Sequence, residues 1–190
     1  MRQRIEAIVN ESIEVKKSVI KNCLPAVEQT SRAIIQAFQN NNRVFFCGNG
    51  GSAADSQHIA AEFIGRFQKE RRALPAIALT TDTSILTCLT NDYSYDIVFS
   101  RQLEALGRKG DVIVGFSTSG KSANVIKAFE RAKEMGITTV AFVGHDGGPM
   151  GKIADIAIIV PSKITARIQE SHITIAHAMC EVVENEFVGK

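Results

Sequence analysis

Two separated parts of the chain carry residues whose types and spacing can perform acid–base or metal-assisted chemistry. His58 and Glu62 are four residues apart, so on a helix they share one face. An imidazole and a carboxylate placed in this way can hold a metal ion together or divide proton transfer between them. A second imidazole, His177, comes from the far end of the chain. An ion pair on a solvated helix would use the same residue types, but the turn that precedes this helix favours a functional role.

That turn is rich in glycine and consists of Gly48, Asn49, Gly50, Gly51 and Ser52. It follows a short apolar run and opens the helix that carries His58. Glycines allow close backbone approach to a ligand, and the free N–H groups at a helix start favour an anion. The turn therefore predicts a bound phosphate, although a tight strand-to-helix turn without a ligand would have the same composition.

A second turn is rich in hydroxyl groups and contains Ser117, Thr118, Ser119 and Ser122. With Gly115, the segment also fits the nucleotide-binding pattern GxxxxGK[ST]. That class of protein needs a further strand ending in a magnesium-binding acid, a role that the region 140–146 would have to fill. A sugar phosphate held by hydroxyl and backbone N–H groups without magnesium is the competing interpretation, and the run of hydroxyls favours it.

The C-terminal helical pattern contains Gln169, His172 and His177. Gln169 and His177 are eight residues apart, which on a helix means about 80° around and about 12 Å along the axis. A shared ligand is stretched at that distance and is easier if Gln169 lies at the helix start. His172 lies on a different face, which predicts a packing or supporting role. The helical neighbours of His177 are apolar, so a buried structural histidine is its alternative.

The elements that must position these residues alternate along the chain. Short apolar runs predict buried strands at 44–47, 76–79, 112–116, 139–143 and 156–160. Helical patterns lie between or after them, at 53–68, 96–106, 122–135 and 166–187. This alternation predicts an α/β fold with a parallel sheet covered on both faces.

The first 41 residues predict a pair of helices, the second of which begins at Pro25. Their apolar stripe either covers the sheet of the same domain or packs against another subunit, and its continuity favours oligomerisation. Asn91 and Asp92 follow an apolar stretch and predict either a polar loop that contacts a ligand or a plain turn.

The overall composition excludes several classes of protein. The 190 residues suffice for one domain with a full core. A net charge of +2 without a basic run argues against nucleic-acid binding. No apolar stretch is long enough for a membrane helix or a signal peptide. Four scattered cysteines without a CxxC pair predict free thiols in a reducing compartment, and we expect a cytoplasmic protein.

Taken together, these segments resemble the sugar isomerase (SIS) domain family nearly end to end. The resemblance is carried by residues 47–67, 75–79, 91–92, 110–128, 144–148 and 166–177. It implies a single SIS domain over 1–190, with a three-layer αβα, flavodoxin-like fold around a five-stranded parallel sheet. It also implies a homotetramer whose active sites lie at subunit interfaces, with 1–41 as a helical extension used in assembly.

The resemblance further implies an aldose–ketose isomerase. Its reaction would convert D-sedoheptulose 7-phosphate to D-glycero-D-manno-heptose 7-phosphate through an enediol. This step would open the ADP-heptose pathway to lipopolysaccharide.

The family's functional residues map onto matching positions of this chain. Glu62 and His177 would be the catalytic base and acid. The substrate contacts would come from Asn49, Gly50, Gly51, Ser52, Glu62, Asn91, Asp92, Ser117, Thr118, Ser119, Ser122 and Gln169. One zinc ion per subunit would be held by His58, Glu62, Gln169 and His177.

Two positions depart from the family pattern, and two alternative functions remain open. Ala166 replaces an aspartate that some isomerases carry, and Lys121 stands where asparagine is frequent. A non-catalytic SIS regulator that binds the replication initiator protein is one alternative, because the first residues are similar to that branch. The other is an SIS isomerase for another sugar phosphate. The presence of both Glu62 and His177 favours the enzyme.

Overall fold

Five parallel strands form the centre of the computed structural model, which describes residues 1–189. The strands are β1 (Val44–Gly48), β2 (Ala76–Ala78), β3 (Val112–Ser117), β4 (Thr138–Val143) and β5 (Ile156–Ile159). Their order in the sheet is β2-β1-β3-β4-β5, and β1 and β3 pair from Val44↔Val112 to Gly48↔Phe116. This is the flavodoxin-like order, with its topological switch point between β1 and β3.

Helices cover both faces of the sheet, which confirms the three-layer αβα fold. One face is covered by α1 (Arg2–Gln39), α2 (Gly51–Ile64) and α7 (Thr165–Asn185). The other face is covered by α3 (Thr83–Asp92), α4 (Val98–Leu106), α5 (Ala123–Glu134) and α6 (Gly148–Ile153), with a 3-10 turn at Tyr95–Ile97. The neighbouring Phe45 and Phe46 of β1 are fully buried in opposite layers, because successive side chains of a strand alternate between faces.

The prediction of an N-terminal helix pair is wrong, because α1 is one helix of 38 residues that continues through Pro25. A proline inside a helix removes one hydrogen bond and normally breaks or kinks it. Here Pro25 is exposed, so the carbonyl one turn earlier, which proline leaves without a hydrogen bond, can face water. Cys23 before it and Ile34 after it are buried in the same core, and this continuous burial favours a single helix.

Asn91 and Asp92 are the last residues of α3, so the predicted loop is also wrong. Asp82 caps the start of this helix, and its side chain accepts a hydrogen bond from the backbone N–H of Ile85 at 2.9 Å. The amide of Asn91 donates to the Asp92 carboxylate at 2.8 Å, and both residues are exposed.

The cysteines are free thiols: Cys23, Cys47 and Cys180 are buried, and Cys88 is exposed. Among residues 1–189, no helix combines the length and the apolar character needed to cross a membrane.

Candidate active site

Helices α2 and α7 run side by side in the same direction on one face of the sheet, and this arrangement brings His177 to His58 and Glu62. His58 Nε2 lies 3.1 Å from Glu62 Oε1 and 3.4 Å from His177 Nε2. The two imidazole rings meet edge to face at 4.9 Å. Residues 119 positions apart in the chain thus form one cluster, which we call the His–Glu–His cluster.

Each member of this cluster has a different exposure. The side chain of His58 is 47% exposed and that of Glu62 is 23% exposed. His177 is half-buried, and its ring stacks on Phe67 at 5.6 Å. Burial lowers the pKa of His177, and the neighbouring His58 lowers it further, while Glu62 opposes the change. A lowered pKa favours the neutral imidazole, the form that can bind a metal ion or accept a proton.

The donor atoms of the cluster fit a metal ion. One imidazole nitrogen from each histidine and one carboxylate oxygen all lie within 4.8 Å of one another. Two histidines and one glutamate form a known ligand set for catalytic zinc. Zinc–donor bonds of about 2.1 Å at tetrahedral angles place neighbouring donors about 3.4 Å apart. The separations of 3.1 and 3.4 Å around His58 match this spacing.

Gln169 lies in the first turns of α7, and its side chain is close to Gly51 at the start of α2. A Cβ atom added at Gly51 would come within 2.7 Å of the Gln169 Nε2 atom. The glycine leaves room for the Gln169 amide beside the backbone of α2. Seven residues separate Gly51 from His58, about 10 Å along the helix axis. The contact that the structure gives Gln169 is thus at the glycine turn, two helical turns before His58.

The glycine turn and the hydroxyl turn lie next to each other at the switch point of the sheet. Asn49 and Asn124 link them through two reciprocal amide hydrogen bonds of 2.8 and 2.9 Å. Tyr95 adds its hydroxyl, which donates to Asn49 Oδ1 at 3.0 Å. Gly50 has φ 56° and ψ −122°, a conformation that glycine adopts readily. Because α2 and α5 cover opposite faces, their N-termini flank the crevice where ligands bind in such sheets.

Sequence reasoning missed both Asn124 and Tyr95 as parts of this crevice. A polar residue in the first turn of α5, directly after the hydroxyl turn, was the available signal for Asn124. Tyr95 gave none, because its contact with Asn49 bridges 46 positions of the chain.

The hydroxyl turn joins β3 to α5 and is short. Its first and last serines face each other, with Ser117 Oγ 2.8 Å from Ser122 Oγ. Thr118 and Ser119 are half-buried, so their hydroxyls lie near the surface. Gly120, with φ 65°, sits against the backbone of Gly147, where an added Cβ would meet the carbonyl oxygen.

The position of Gly115 argues against a nucleotide loop. Gly115 lies inside β3, where an added Cβ would come within 2.9 Å of Val125, Met150 and Phe129. The glycine is therefore required by core packing and not by a phosphate. The first three of the eight motif residues, 115–117, thus belong to β3, and residues 118–122 form the turn before α5.

His172 is fully buried between Phe116 and Phe142, in agreement with a packing role. Its Nε2 lies 3.2 Å from the carbonyl oxygen of Val143, so this nitrogen carries the proton and donates it. Ala166 and Lys121 are both exposed.

The fold and the site define a class of protein, and comparison with known proteins agrees. Residues 9–144 match the model of the SIS domain family. The chain belongs to this family, as its sequence motifs predicted.

Within the family, similarity points to one group of enzymes. The chain is 50% identical to a phosphoheptose isomerase of Clostridium acetobutylicum, over 100% of this chain and 98% of that protein. It is 52% identical to a phosphoheptose isomerase of Aquifex aeolicus, over 97% and 96% of the two chains. The structure of the phosphoheptose isomerase from Neisseria gonorrhoeae is 45% identical, with a TM-score of 0.92 over 97% of this chain and 98% of that one.

Proposed function

We propose that this protein is a phosphoheptose isomerase that interconverts D-sedoheptulose 7-phosphate and D-glycero-D-manno-heptose 7-phosphate. The observation that carries the proposal is the His–Glu–His cluster, in which His58 and Glu62 lie on the helix that begins at the glycine turn and His177 lies on α7. Curated relatives of about 50% identity, aligned over the full chain, bear the same name. Neither the regulator nor an isomerase for a different sugar is supported by these relatives.

The two turns at the switch point would bind the substrate, with the phosphate at the hydroxyl turn and the sugar at the glycine turn. Ser117, Thr118, Ser119 and Ser122 would supply hydroxyl groups, and the start of α5 would supply backbone N–H groups. Asn49, Gly50, Gly51 and Ser52 would contact the sugar from the start of α2. Gln169 would take part from its position beside Gly51. Asn91 and Asp92, at the end of α3, would add polar contacts.

The His–Glu–His cluster would act at the carbonyl end of the sugar. Isomerisation needs a base that moves a proton between C1 and C2 and an acid that assists opening of the sugar ring. We assign the base to the Glu62 carboxylate and the acid to the imidazole of His177. The lowered pKa of His177 reduces the protonated fraction but makes that form a stronger acid. The hydrogen bond from His58 to Glu62 would hold the carboxylate in place.

We further propose that the cluster binds zinc through His58, Glu62 and His177. Gln169 is proposed as a fourth donor, a role for which its side chain would have to turn from Gly51 toward the cluster. When bound there, zinc would supply Lewis acidity toward the carbonyl oxygen of the substrate. An imidazole nitrogen that binds a metal cannot donate a proton at the same time, so the zinc and acid roles of His177 exclude each other at that atom.

Metal analysis of a single variant tests the zinc proposal. His58→Ala removes one donor and should lower the zinc content per chain several-fold relative to wild type. Equal zinc content in the two proteins would refute the ligand role of His58. Because the side chain of His58 is nearly half exposed, the substitution should leave the fold intact, which circular dichroism can verify.

The assembly and the location of the protein complete the proposal. We propose a cytoplasmic homotetramer with active sites at subunit interfaces, acting in heptose synthesis for lipopolysaccharide. Exposed apolar residues of α1 support an interface, namely Ile5, Ile8, Val9, Ile13, Ile20 and Leu24, each 44–64% exposed. Free cysteines are consistent with a reducing compartment.

Incubation of the purified protein with D-sedoheptulose 7-phosphate tests the main proposal. NMR should show the aldose phosphate accumulating, and a chelator should slow its formation if zinc takes part. Related ketose phosphates are tested as further substrates. If D-sedoheptulose 7-phosphate gives no product either with or without the chelator, the proposed reaction is excluded.

A further inference from the structure

A buried ion pair lies next to the His–Glu–His cluster and takes no part in the chemistry proposed above. Arg71 Nε lies 3.5 Å from Glu184 Oε1, and the two side chains are 0% and 2% exposed. Removing one partner of such a pair leaves an uncompensated buried charge, which is strongly unfavourable.

Arg71 binds the C-terminal end of α2. Its guanidinium donates to the backbone carbonyl oxygens of Glu62 at 2.7 Å, Phe63 at 2.8 Å and Gly65 at 2.9 Å. The last carbonyls of a helix have no partners within the helix, so Arg71 satisfies them. The backbone of Glu62 is thereby attached to a fixed cation.

Glu184 binds the loop that follows α2. Its carboxylate accepts hydrogen bonds from the backbone N–H groups of Phe67 at 2.8 Å, Gln68 at 2.8 Å and Lys69 at 2.9 Å. Burial alone would raise the pKa of Glu184, but these N–H groups and Arg71 outweigh it and lower the pKa. The carboxylate therefore stays charged and holds the loop.

The same loop reaches the catalytic imidazole. Phe67, the first residue held by Glu184, stacks on the ring of His177 with an interplanar angle of 29°. Glu184 lies seven residues after His177, so both side chains project from the same face of α7. One buried pair thus contacts the backbone of Glu62 and, through Phe67, the ring of His177.

We propose that Arg71, Glu184 and Phe67 are positioning residues that hold Glu62 and His177 in register across the α2–α7 interface. The inference rests on the proposed function of Glu62 and His177. The pair acts through Phe67 and the end of α2, at the opposite end of that helix from the glycine turn. Loss of the pair should therefore impair turnover while leaving substrate affinity nearly unchanged.

Kinetics and NMR of matched variants test this proposal. Glu184→Gln removes the charge and at least one of the three hydrogen bonds, and should lower kcat at least tenfold with KM within twofold of wild type. Glu130→Gln is the control, because Glu130 is an exposed carboxylate on α5, across the sheet. The Hε1 resonance of His177, assigned with His177→Gln, should move in Glu184→Gln and stay in place in Glu130→Gln.

A second pair of variants covers the case in which Glu184→Gln does not fold. Phe67→Leu should lower kcat and move the His177 resonance, whereas Phe67→Tyr keeps the ring and should restore both. Wild-type kcat and an unmoved resonance in folded Phe67→Leu would overturn the proposal. If wild type itself fails to convert the substrate, the proposed function fails, and the resonance still decides whether these residues position His177.

Discussion

At the scale of single residues, Glu62 occupies the central position in the proposed chemistry. Its carboxylate accepts from His58, and its backbone carbonyl accepts from Arg71, so both ends of the residue are fixed. A base that is held in place contributes about a hundredfold or more to the rate of proton transfer.

Glu62→Gln should therefore remove more than about 99% of turnover, because an amide cannot take up the proton. The side chain keeps its shape and its oxygen, so the protein should fold and still bind the substrate. Initial rates, together with a thermal unfolding curve, check the prediction. Near-normal turnover by a folded variant would contradict the assignment of Glu62 as the base.

Lys121 should matter little for catalysis, although it creates the apparent nucleotide motif. Its side chain is exposed. The backbone hydrogen bond from Gly148 is the largest cause of the lowered pKa of Asp146, and the charge of Lys121 is a smaller one. Lys121→Asn should leave kcat within a few-fold of wild type and raise KM modestly, because one cation near the phosphate is lost. ATP hydrolysis by wild type that disappears in this variant would instead restore the nucleotide interpretation.

Chemical type and helical spacing were sufficient to predict only part of the cluster. The pairing of His58 with Glu62 follows from their spacing alone. Predicting that His177 lies beside them required the family resemblance, because its position depends on how α7 packs against α2. Tyr95 and Glu184 could not be found in this way, because their roles arise from contacts between distant segments.

At the scale of elements, α7 is attached to the sheet through His172 as well as through apolar packing. The imidazole is fully buried, and burial lowers its pKa from 6.5 to about 4. Between about pH 4 and pH 6.5, His172 therefore binds a proton in the unfolded chain but not in the folded chain. Stability from this group is present above about pH 6.5 and is lost as the pH falls toward 4.

Lowering the pH from 7 to 5 should cost wild type about 2 kcal/mol of unfolding free energy through His172. In His172→Gln, the side chain at this position does not titrate, and its amide can still donate to the Val143 carbonyl. The stability of this variant should therefore lack the pH dependence that His172 contributes. Urea unfolding at both pH values, at one protein concentration, measures the difference. The same pH dependence in both proteins would show that His172 is not the group responsible.

The alternating strands and helices were predictable because each strand is an apolar run bounded by polar or glycine residues. Local signals failed where tertiary packing opposed them. Pro25 signalled a break, but burial on both sides of it favours one continuous helix. Asn91 and Asp92 signalled a loop, but they complete a helix whose start is fixed by the Asp82 cap.

At the scale of the whole molecule, α1 has two halves with different surroundings. Its C-terminal half is buried against the sheet, where Ile34 and Phe38 are 0% exposed. Its N-terminal half is tied to α7 by polar contacts, including a hydrogen bond from Ser12 to Glu170 at 2.6 Å. A groove of about 330 Å³ between α1 and α7 is lined by Ile20, Leu24 and other apolar residues.

A charge placed in this groove should separate the subunits without unfolding them. Ile20 is 64% exposed in the single chain, so Ile20→Glu costs that chain little. At a subunit interface the same change would remove about 1.5–3 kcal/mol of apolar burial per copy and would bury a charge.

Light scattering should give wild type a mass equal to that of four chains, and Ile20→Glu a smaller mass. Leu106→Glu, an exposed position on the opposite layer, should leave the mass unchanged. Because the active sites are proposed to lie at the interfaces, turnover should fall together with the mass. A monomeric wild type with full activity would contradict both parts of that proposal.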